Sequence, residues 1–246
     1  MHRRMLLAAT GSAVLAEAEP EPLRIRAIAF DGFTILDPRS IGAAAEDVFP
    51  GKGADLSNAW RTRQFEYTWL RTLMGTYLDF RHVTEEALEF AAASQHLPLT
   101  KEKKDRLMRA FFAFRPWPEA VAALKRMKAS GIRLAFLSNF TEEMLDAAVR
   151  SCGLEGLFDP HLSTDKVRAF KPDARAYQMA IDAFRLSREE IAFAAFGGWD
   201  AAGAKTFGFP TFWVNRMQLP VERLGVAPDG TGASLDDLER FVISRR

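Results

Sequence analysis

The amino-acid sequence predicts an α/β protein with a doubly wound parallel sheet and a helical cap inserted after the first strand. A short apolar run at residues 25–30 stops at an acidic residue, Asp31. Residues 38–114 carry apolar residues at helical spacing without a strand pattern, and from residue 119 onward strands alternate with helices. This alternation is typical of a parallel sheet, which holds ligands beyond the carboxyl ends of its strands.

The composition allows an enzyme and excludes some other classes. The chain has 246 residues, of which 48% are hydrophobic and 26% charged, enough for one core and a smaller second lobe. A formal net charge of +1 gives no reason to expect a nucleic acid or a membrane surface as partner. The single cysteine, Cys152, excludes an internal disulfide and is expected to be a packed side chain, and the scattered histidines exclude a structural zinc site.

Residues 1–22 are expected to be a signal peptide and spacer rather than part of the fold. Paired arginines precede an apolar segment at residues 5–16 that is too short to span a bilayer, and residues 16–18 suit a signal peptidase. The pattern resembles a twin-arginine export signal, and two prolines at residues 19–22 make an extended spacer. We therefore expect a periplasmic protein, with a cytoplasmic one as the alternative.

Hydrophobic periodicity gives the remaining elements. The core is assigned to residues 23–37 and 115–246 and the cap to residues 38–114, with a proline-rich turn at residues 116–118 between them. Helices are predicted at residues 59–74 and 82–93 in the cap and at 119–130, 141–152, 173–184 and 201–207 in the core. Strands are predicted at residues 24–31, 133–138, 191–196 and 211–214.

Four polar positions are expected at one edge of this sheet. They are Asp31, Ser138 with Asn139, Lys171 and Asp200. Each one alone is weak evidence, because an Asp or Ser after a strand is more often a helix cap than a functional residue, so their order and spacing carry the signal. The arrangement resembles the haloacid dehalogenase superfamily, whose core is Rossmann-like, and the resemblance covers residues 24–220.

The phosphatase branch of that superfamily fits poorly. Its pattern has a second Asp two positions after the nucleophile and a magnesium-binding Asp near the last motif, where this chain has Phe33 and Phe196. Magnesium needs several hard oxygen ligands, so the loss of two carboxylates argues against it. A phosphatase-fold hydrolase of other specificity remains an alternative.

The (S)-2-haloacid dehalogenase branch fits better. Residues 49–53 and 59–71 resemble the helical cap of that family, and further matches lie at residues 137–139, 170–172 and 200–205. The resemblance implies a hydrolase that needs no cofactor or metal and acts on small 2-haloacids. It also implies a homodimer that associates through its cap helices.

The resemblance assigns a role to each site residue. Asp31 is the nucleophile that displaces halide and forms an aspartyl ester, and Lys171 keeps it ionised. Asp200 positions the hydrolytic water or pairs with Lys171. The departing halide is received by Arg61, Asn139 and Trp199.

The remaining implied roles concern substrate binding and orientation. Ser138, with backbone amides near Gly32 and Phe33, anchors the substrate carboxylate. Thr34 and Tyr177 orient Asp31 and Lys171 respectively.

The last motif departs from the family pattern. The family usually has Ser-Ser-Asn-Gly-Phe-Asp, whereas residues 195–200 read Ala-Phe-Gly-Gly-Trp-Asp. The missing Ser and Asn side chains are expected to slow hydrolysis of the ester more than its formation. A decayed module that binds carboxylates without turnover is therefore a further alternative.

Overall fold

The central strand, β1 (Ala27–Phe30), is buried on both faces because its side chains point alternately into two packing layers. Ile28 and Phe30 belong to one layer, and Ala27 and Ala29 to the other. The structure is a computed structural model that describes residues 24–245. The signal peptide and spacer expected at residues 1–22 lie outside the described residues.

Within the described residues, six parallel strands form one sheet in the order β3-β2-β1-β4-β5-β6. The other strands are β2 (Arg133–Ser138), β3 (His161–Ser163), β4 (Ile191–Ala195), β5 (Thr211–Val214) and β6 (Gly230–Gly232). Because β1 lies between β2 and β4, the residues that follow these three strands meet at one edge of the sheet. The predicted fold class is confirmed.

Helices cover both faces of the sheet. One face packs against α5 (Ala120–Ala129), α6 (Glu142–Cys152) and α9 (Leu235–Ile243), and the other against α7 (Ala174–Phe184) and α8 (Gly198–Phe207). Helix α8 begins three residues earlier than the predicted residue 201, after extended backbone at Gly197. Asp200 therefore lies in the first turn of a helix rather than in a loop.

Four helices lie in the segment assigned to the cap. They are α1 (Arg39–Val48), α2 (Gly53–Met74), α3 (Phe80–Ser94) and α4 (Lys101–Arg109). The Trp60 indole of α2 donates to the Thr84 carbonyl of α3 at 2.7 Å, and Gln64 donates to the Thr84 hydroxyl at 2.5 Å. These buried bonds fix the register of the helix pair that overhangs the sheet edge.

The chain returns to the core where Leu36 and Pro116 form an isolated antiparallel bridge, at the expected turn. None of the helices in residues 24–245 is long and apolar enough to cross a membrane.

Candidate active site

Asp31 lies directly after β1 and caps a short 3-10 turn, Gly32–Thr34. Its Oδ2 atom accepts a hydrogen bond from the Phe33 amide at 3.1 Å. The Thr34 hydroxyl donates to the backbone carbonyl of Asp31 at 2.6 Å, so Thr34 orients Asp31 through the main chain rather than through the carboxylate. The turn therefore fixes both the backbone and the side chain of Asp31.

Lys171 joins two carboxylates that are distant in sequence. Its Nζ atom lies 2.8 Å from Asp31 Oδ1 and 2.6 Å from Asp200 Oδ2. The Tyr177 hydroxyl donates to Asp200 Oδ1 at 2.7 Å. Tyr177 was expected to orient Lys171; its hydroxyl contacts Asp200, which in turn pairs with Lys171. The cluster leaves the second oxygen of Asp31 facing the Phe33 amide.

Burial and charge oppose each other in this cluster. Burial would lower the pKa of Lys171, but the carboxylates of Asp200 and Asp31 outweigh it and raise the pKa above its usual value. Burial raises the pKa of Asp200 to about 6, and the ion pair with Lys171 opposes that rise. Burial, with the charge of Asp200, also raises the pKa of the Tyr177 hydroxyl. Lys171 is therefore a cation over the whole physiological range.

A cleft of about 450 Å³ opens over Asp31 and Asp200. Seven aromatic residues of its wall come from both the cap and the core: Phe33, Trp60, Phe65, Trp69, Phe111, Phe196 and Trp199. The Trp69 and Trp199 ring centroids lie 5.3 Å apart in an edge-to-face arrangement across this junction. Arg61 of α2 supplies a cation to the wall. The cleft thus offers a carboxylate at its floor, apolar walls and a positive charge from the cap.

Ser138 and Asn139 follow β2 but are used within the protein. The Ser138 hydroxyl accepts from the Phe140 amide at 3.1 Å. Asn139 Oδ1 accepts from the Lys171 amide at 3.1 Å, which holds the loop that carries the lysine. Within residues 24–245, neither side chain belongs to the wall of the cleft. Asn139 therefore lies one layer behind the position expected of a halide ligand.

Of the other expected site residues, Phe33, Arg61 and Trp199 line the cleft, whereas Thr34, Lys171 and Tyr177 do not belong to its wall. Phe33 and Phe196 pack with ring centroids 5.8 Å apart, where the phosphatase pattern has carboxylates. No group of three His, Cys, Asp or Glu side chains suited to a metal ion occurs in the described part of the chain. One oxygen each of Asp31 and Asp200 is turned to Lys171, and the other two accept from the Phe33 amide and the Tyr177 hydroxyl, so this donor set does not match a magnesium site.

Sequence reasoning missed several residues of the site. The loop after β5 contributes Asn215, Met217, Leu219 and Glu222 to the cleft wall. This loop has neither a motif nor a periodic pattern, so the sequence offered no signal. Trp69 was recognised only as an apolar position of the cap helix. A signal for it exists, because an aromatic run on one helix exceeds what a single buried stripe requires.

The sequence and the fold of this chain are similar to those of known haloacid dehalogenases. A family model described as haloacid dehalogenase-like hydrolase matches residues 14–208. An (S)-2-haloacid dehalogenase of Pseudomonas sp. (strain YL) is 41% identical over 212 residues, covering 86% of this chain and 91% of that protein. A crystal structure of an L-2-haloacid dehalogenase shares 43% identity with a TM-score of 0.88, covering 89% of this chain and 99% of that one.

A second solved structure holds a bound reactant. It is the L-2-haloacid dehalogenase of Xanthobacter autotrophicus with chloropropionic acid covalently bound, with 31% identity and a TM-score of 0.84. The comparison covers 90% of this chain and 100% of that one.

Proposed function

The chain belongs to the haloacid dehalogenase-like hydrolase family, and we propose that it hydrolyses small (S)-2-haloacids to 2-hydroxy acids and halide. One observation carries the proposal. The Asp31 carboxylate is held by the buried cation of Lys171 at the floor of a cleft that seven aromatic residues help to line. Its relatives named as haloacid dehalogenases, and the covalent chloropropionic acid in one of them, support the same reaction.

In the first step, an Asp31 oxygen attacks C2 of the substrate as the carbon–halogen bond breaks. The halide leaves with the bonding electron pair, and an ester bond forms between an Asp31 oxygen and C2. Lys171 pairs with the Asp31 carboxylate and turns one oxygen, Oδ1, towards itself. A single displacement from the rear inverts C2, so an (S)-2-haloacid gives an (R)-2-hydroxy acid.

The substrate and the halide need positive and polar partners. Arg39 and Arg61 both lie on the cleft wall, and Arg39 is paired with Asp37. We therefore assign Arg61 to the leaving halide together with the ring of Trp199. Asn139 supports this step indirectly, since its side chain holds the Lys171 loop.

We assign the substrate carboxylate to the backbone amides of the Asp31 turn. The Ser138 hydroxyl lies 3.3 Å from the position of a Cβ atom on Gly32 but outside the cleft wall, so it supports this turn from behind.

In the second step, water attacks the carbonyl carbon of the ester and releases the hydroxy acid. Asp200 is the group we assign to this water, because it is ionised above pH 6 and adjoins Lys171. The Tyr177 hydroxyl already donates a hydrogen bond to Asp200 and so makes this carboxylate a weaker base. The regenerated Asp31 carboxylate then pairs with Lys171 again.

Halide release from (S)-2-chloropropionate and from haloacetates tests the proposal. Purified protein should release halide, and Asp31→Asn should not. A magnesium-supplemented assay with an aryl phosphate tests the phosphatase alternative in parallel. Release of halide no faster than from the Asp31→Asn protein, with tight carboxylate binding, would instead support a decayed module.

Isotope labelling separates an ester route from direct attack by water. With enzyme in excess and one turnover in heavy-oxygen water, the label should appear in the Asp31 carboxylate. Label found directly in the hydroxy acid would contradict the ester intermediate.

A homodimer is a separate proposal. Leu73 and Met74 at the end of α2 are 84% and 63% exposed, and Leu70, Leu78 and Phe90 extend this apolar face of the cap. A second copy of the chain would bury it.

Export to the periplasm is likewise proposed from the twin-arginine pattern of residues 1–22. Fractionation of cells should find the shortened protein in the periplasm. Full-length protein confined to the cytoplasm would overturn this proposal.

A further inference from the structure

We propose that Arg216 and Trp117 are positioning residues for the nucleophile, because they hold the turn that carries Asp31. The inference rests on the proposed function, since it concerns the displacement step at Asp31. Both residues lie far from Asp31 in sequence, and neither belongs to the strand-end positions that identify the site.

Part of the turn is held by its own residues. The Asp31 carbonyl accepts from the Thr34 hydroxyl at 2.6 Å, and the Gly32 carbonyl accepts from the Leu36 amide at 2.9 Å. Backbone polar groups that are buried need such partners. These local bonds define the turn, but they leave the next two carbonyls to other partners.

Those two carbonyls are bound by side chains from distant parts of the chain. The Trp117 indole donates to the Phe33 carbonyl at 3.0 Å, and Arg216 Nη2 donates to the Thr34 carbonyl at 2.9 Å. Trp117 precedes α5, and Arg216 lies in the loop after β5. The turn is therefore fixed from two directions outside itself.

Arg216 is itself rigidly held. Its side chain is only 6% exposed, and its Nη2 atom lies 2.7 Å from Glu119 Oε1. Its Nη1 atom donates to the Ala233 carbonyl at 3.2 Å, and its guanidinium carbon lies 4.4 Å from the centroid of the Trp117 ring. The two positioning residues thus pack on each other as well as on the turn.

Stability is a poor explanation for this arrangement. A buried ion pair contributes little net stability, because desolvation offsets the attraction between the charges. Burial indeed lowers the pKa of Arg216, against the opposing charge of Glu119. We attribute the pair to the geometry that the guanidinium imposes on the Thr34 carbonyl.

Phe33 links that geometry to the reacting group. Its carbonyl is held by Trp117, and its amide donates to Asp31 Oδ2 at 3.1 Å. A shift of Phe33 therefore moves the attacking carboxylate relative to C2. Misplacement of a reacting atom by about 1 Å slows a reaction by about 100-fold.

The test measures halide release in single turnovers with enzyme in excess over (S)-2-chloropropionate. Arg216→Met should lower the limiting rate by about 10- to 100-fold and change the half-saturating concentration by less than about twofold. Arg216→Lys should recover part of the rate because it keeps the charge beside Glu119. Trp117→Phe, which keeps a ring but removes the indole donor, should also lower the limiting rate. Arg126→Met is the matched control, since Arg126 pairs with Asp236 and Glu239 on the surface.

Each outcome decides the matter. A limiting rate unchanged in both Arg216→Met and Trp117→Phe would overturn the inference, as would an equal loss in Arg126→Met. If Arg216→Met does not fold, Trp117→Phe alone decides by the same criterion. Absence of halide release from the unaltered protein would count against the proposed function itself, which distinguishes the two failures.

Discussion

The Trp199 indole Nε1 lies 2.8 Å from the position that a Cβ atom on Gly197 would occupy. The indole therefore rests against the main chain at the start of α8, and only glycine leaves it room. Backbone strain does not explain this glycine, because Gly197 has a φ of −83°, which any residue adopts. The ring fills the space where the family pattern has an Asn side chain.

Enlarging Gly197 should damage the site through Trp199. Gly197→Ala is expected to displace the indole and lower the catalytic efficiency of halide release by about 10-fold, since a contact of this kind forces a shift in a packed site. The double variant with Trp199→Phe should regain most of the loss. Steady-state kinetics of the two single variants and the double variant check this. A double variant no faster than Gly197→Ala would contradict the coupling.

Removing the Lys171 cation should affect both activity and stability. Lys171→Met leaves two carboxylates without their shared partner, so we expect a loss of about 3–5 kcal/mol in the free energy of unfolding. Halide release should fall by at least about 100-fold. Urea unfolding and halide assays provide the measurements. Lys205→Met, which breaks a half-exposed pair with Asp229, is the control and should cost less than about 1 kcal/mol. An equal loss of stability in both variants would contradict the prediction.

Asp200 should set the acidic limb of the pH profile. Its pKa is raised to about 6, so turnover should decline as the pH falls through 6 and Asp200 takes up a proton. Lys171 should add no alkaline limb below its ordinary value of 10.5, because its pKa is raised. A profile of kcat against pH checks both points. Persistence of the acidic limb in an Asp200→Asn protein that retains activity would assign the limb to another group.

The raised pKa of Asp200 also makes the stability of the protein depend on pH. The folded-state pKa of about 6 lies above the ordinary value of 3.8, so the folded chain binds this proton more tightly than the unfolded chain. The contribution of Asp200 to stability should therefore be full below pH 3.8 and decline as the pH rises towards 6. The difference in unfolding free energy between the unaltered protein and Asp200→Asn, measured across this range, follows the decline.

Tyr177→Phe should move the acidic limb. The Tyr177 hydroxyl stabilises the Asp200 carboxylate by a hydrogen bond of 2.7 Å, which lowers the pKa of Asp200. Its removal should shift the limb to higher pH and reduce kcat at neutral pH by about 10-fold, because a hydrogen bond to a charged group contributes at least about 1.5 kcal/mol. A lower kcat with an unmoved limb would indicate a packing defect instead.

The apolar face of the cap should carry the dimer contact. Leu73→Glu places a charge at a side chain that is 84% exposed in the single chain, so it should not disturb folding. We expect dimers of the unaltered protein to become monomers in this variant, as measured by light scattering during gel filtration. Leu224→Glu, on the loop after β5 and 60% exposed, is the matched control. Monomers in both the unaltered protein and the variant would exclude the proposed dimer.

The sequence predicted the sheet edge better than the contacts made there. Asp31, Lys171 and Asp200 could be placed together because parallel strands in a doubly wound sheet end at a common edge. The hydrogen-bond partner of the Tyr177 hydroxyl could not be predicted. Asp200 and Lys171 are adjacent in the site, so the sequence does not show which of them Tyr177 contacts. Helix α8 was predicted to begin too late because its first turn, from Gly198, lacks the usual capping residue.

Longer-range features had no local signature. Strands β3 and β6 have three residues each, too few for a periodic pattern. The bond from Arg216 to Thr34 spans 182 residues and depends on how the loop after β5 folds back over the site. The position of Asn139 behind the cleft depends on the Lys171 loop, which the sequence marks only by its motif.

The contact between the Trp69 and Trp199 rings provides an intrinsic spectroscopic probe of the position of the cap. One indole belongs to a cap helix and the other to the core, and their centroids lie 5.3 Å apart. Two indoles at this separation exchange excitation, so any movement of the cap away from the sheet would alter the near-ultraviolet circular dichroism and emission without an added dye. A change in the position of the cap on substrate binding would thus be measurable in the unaltered chain.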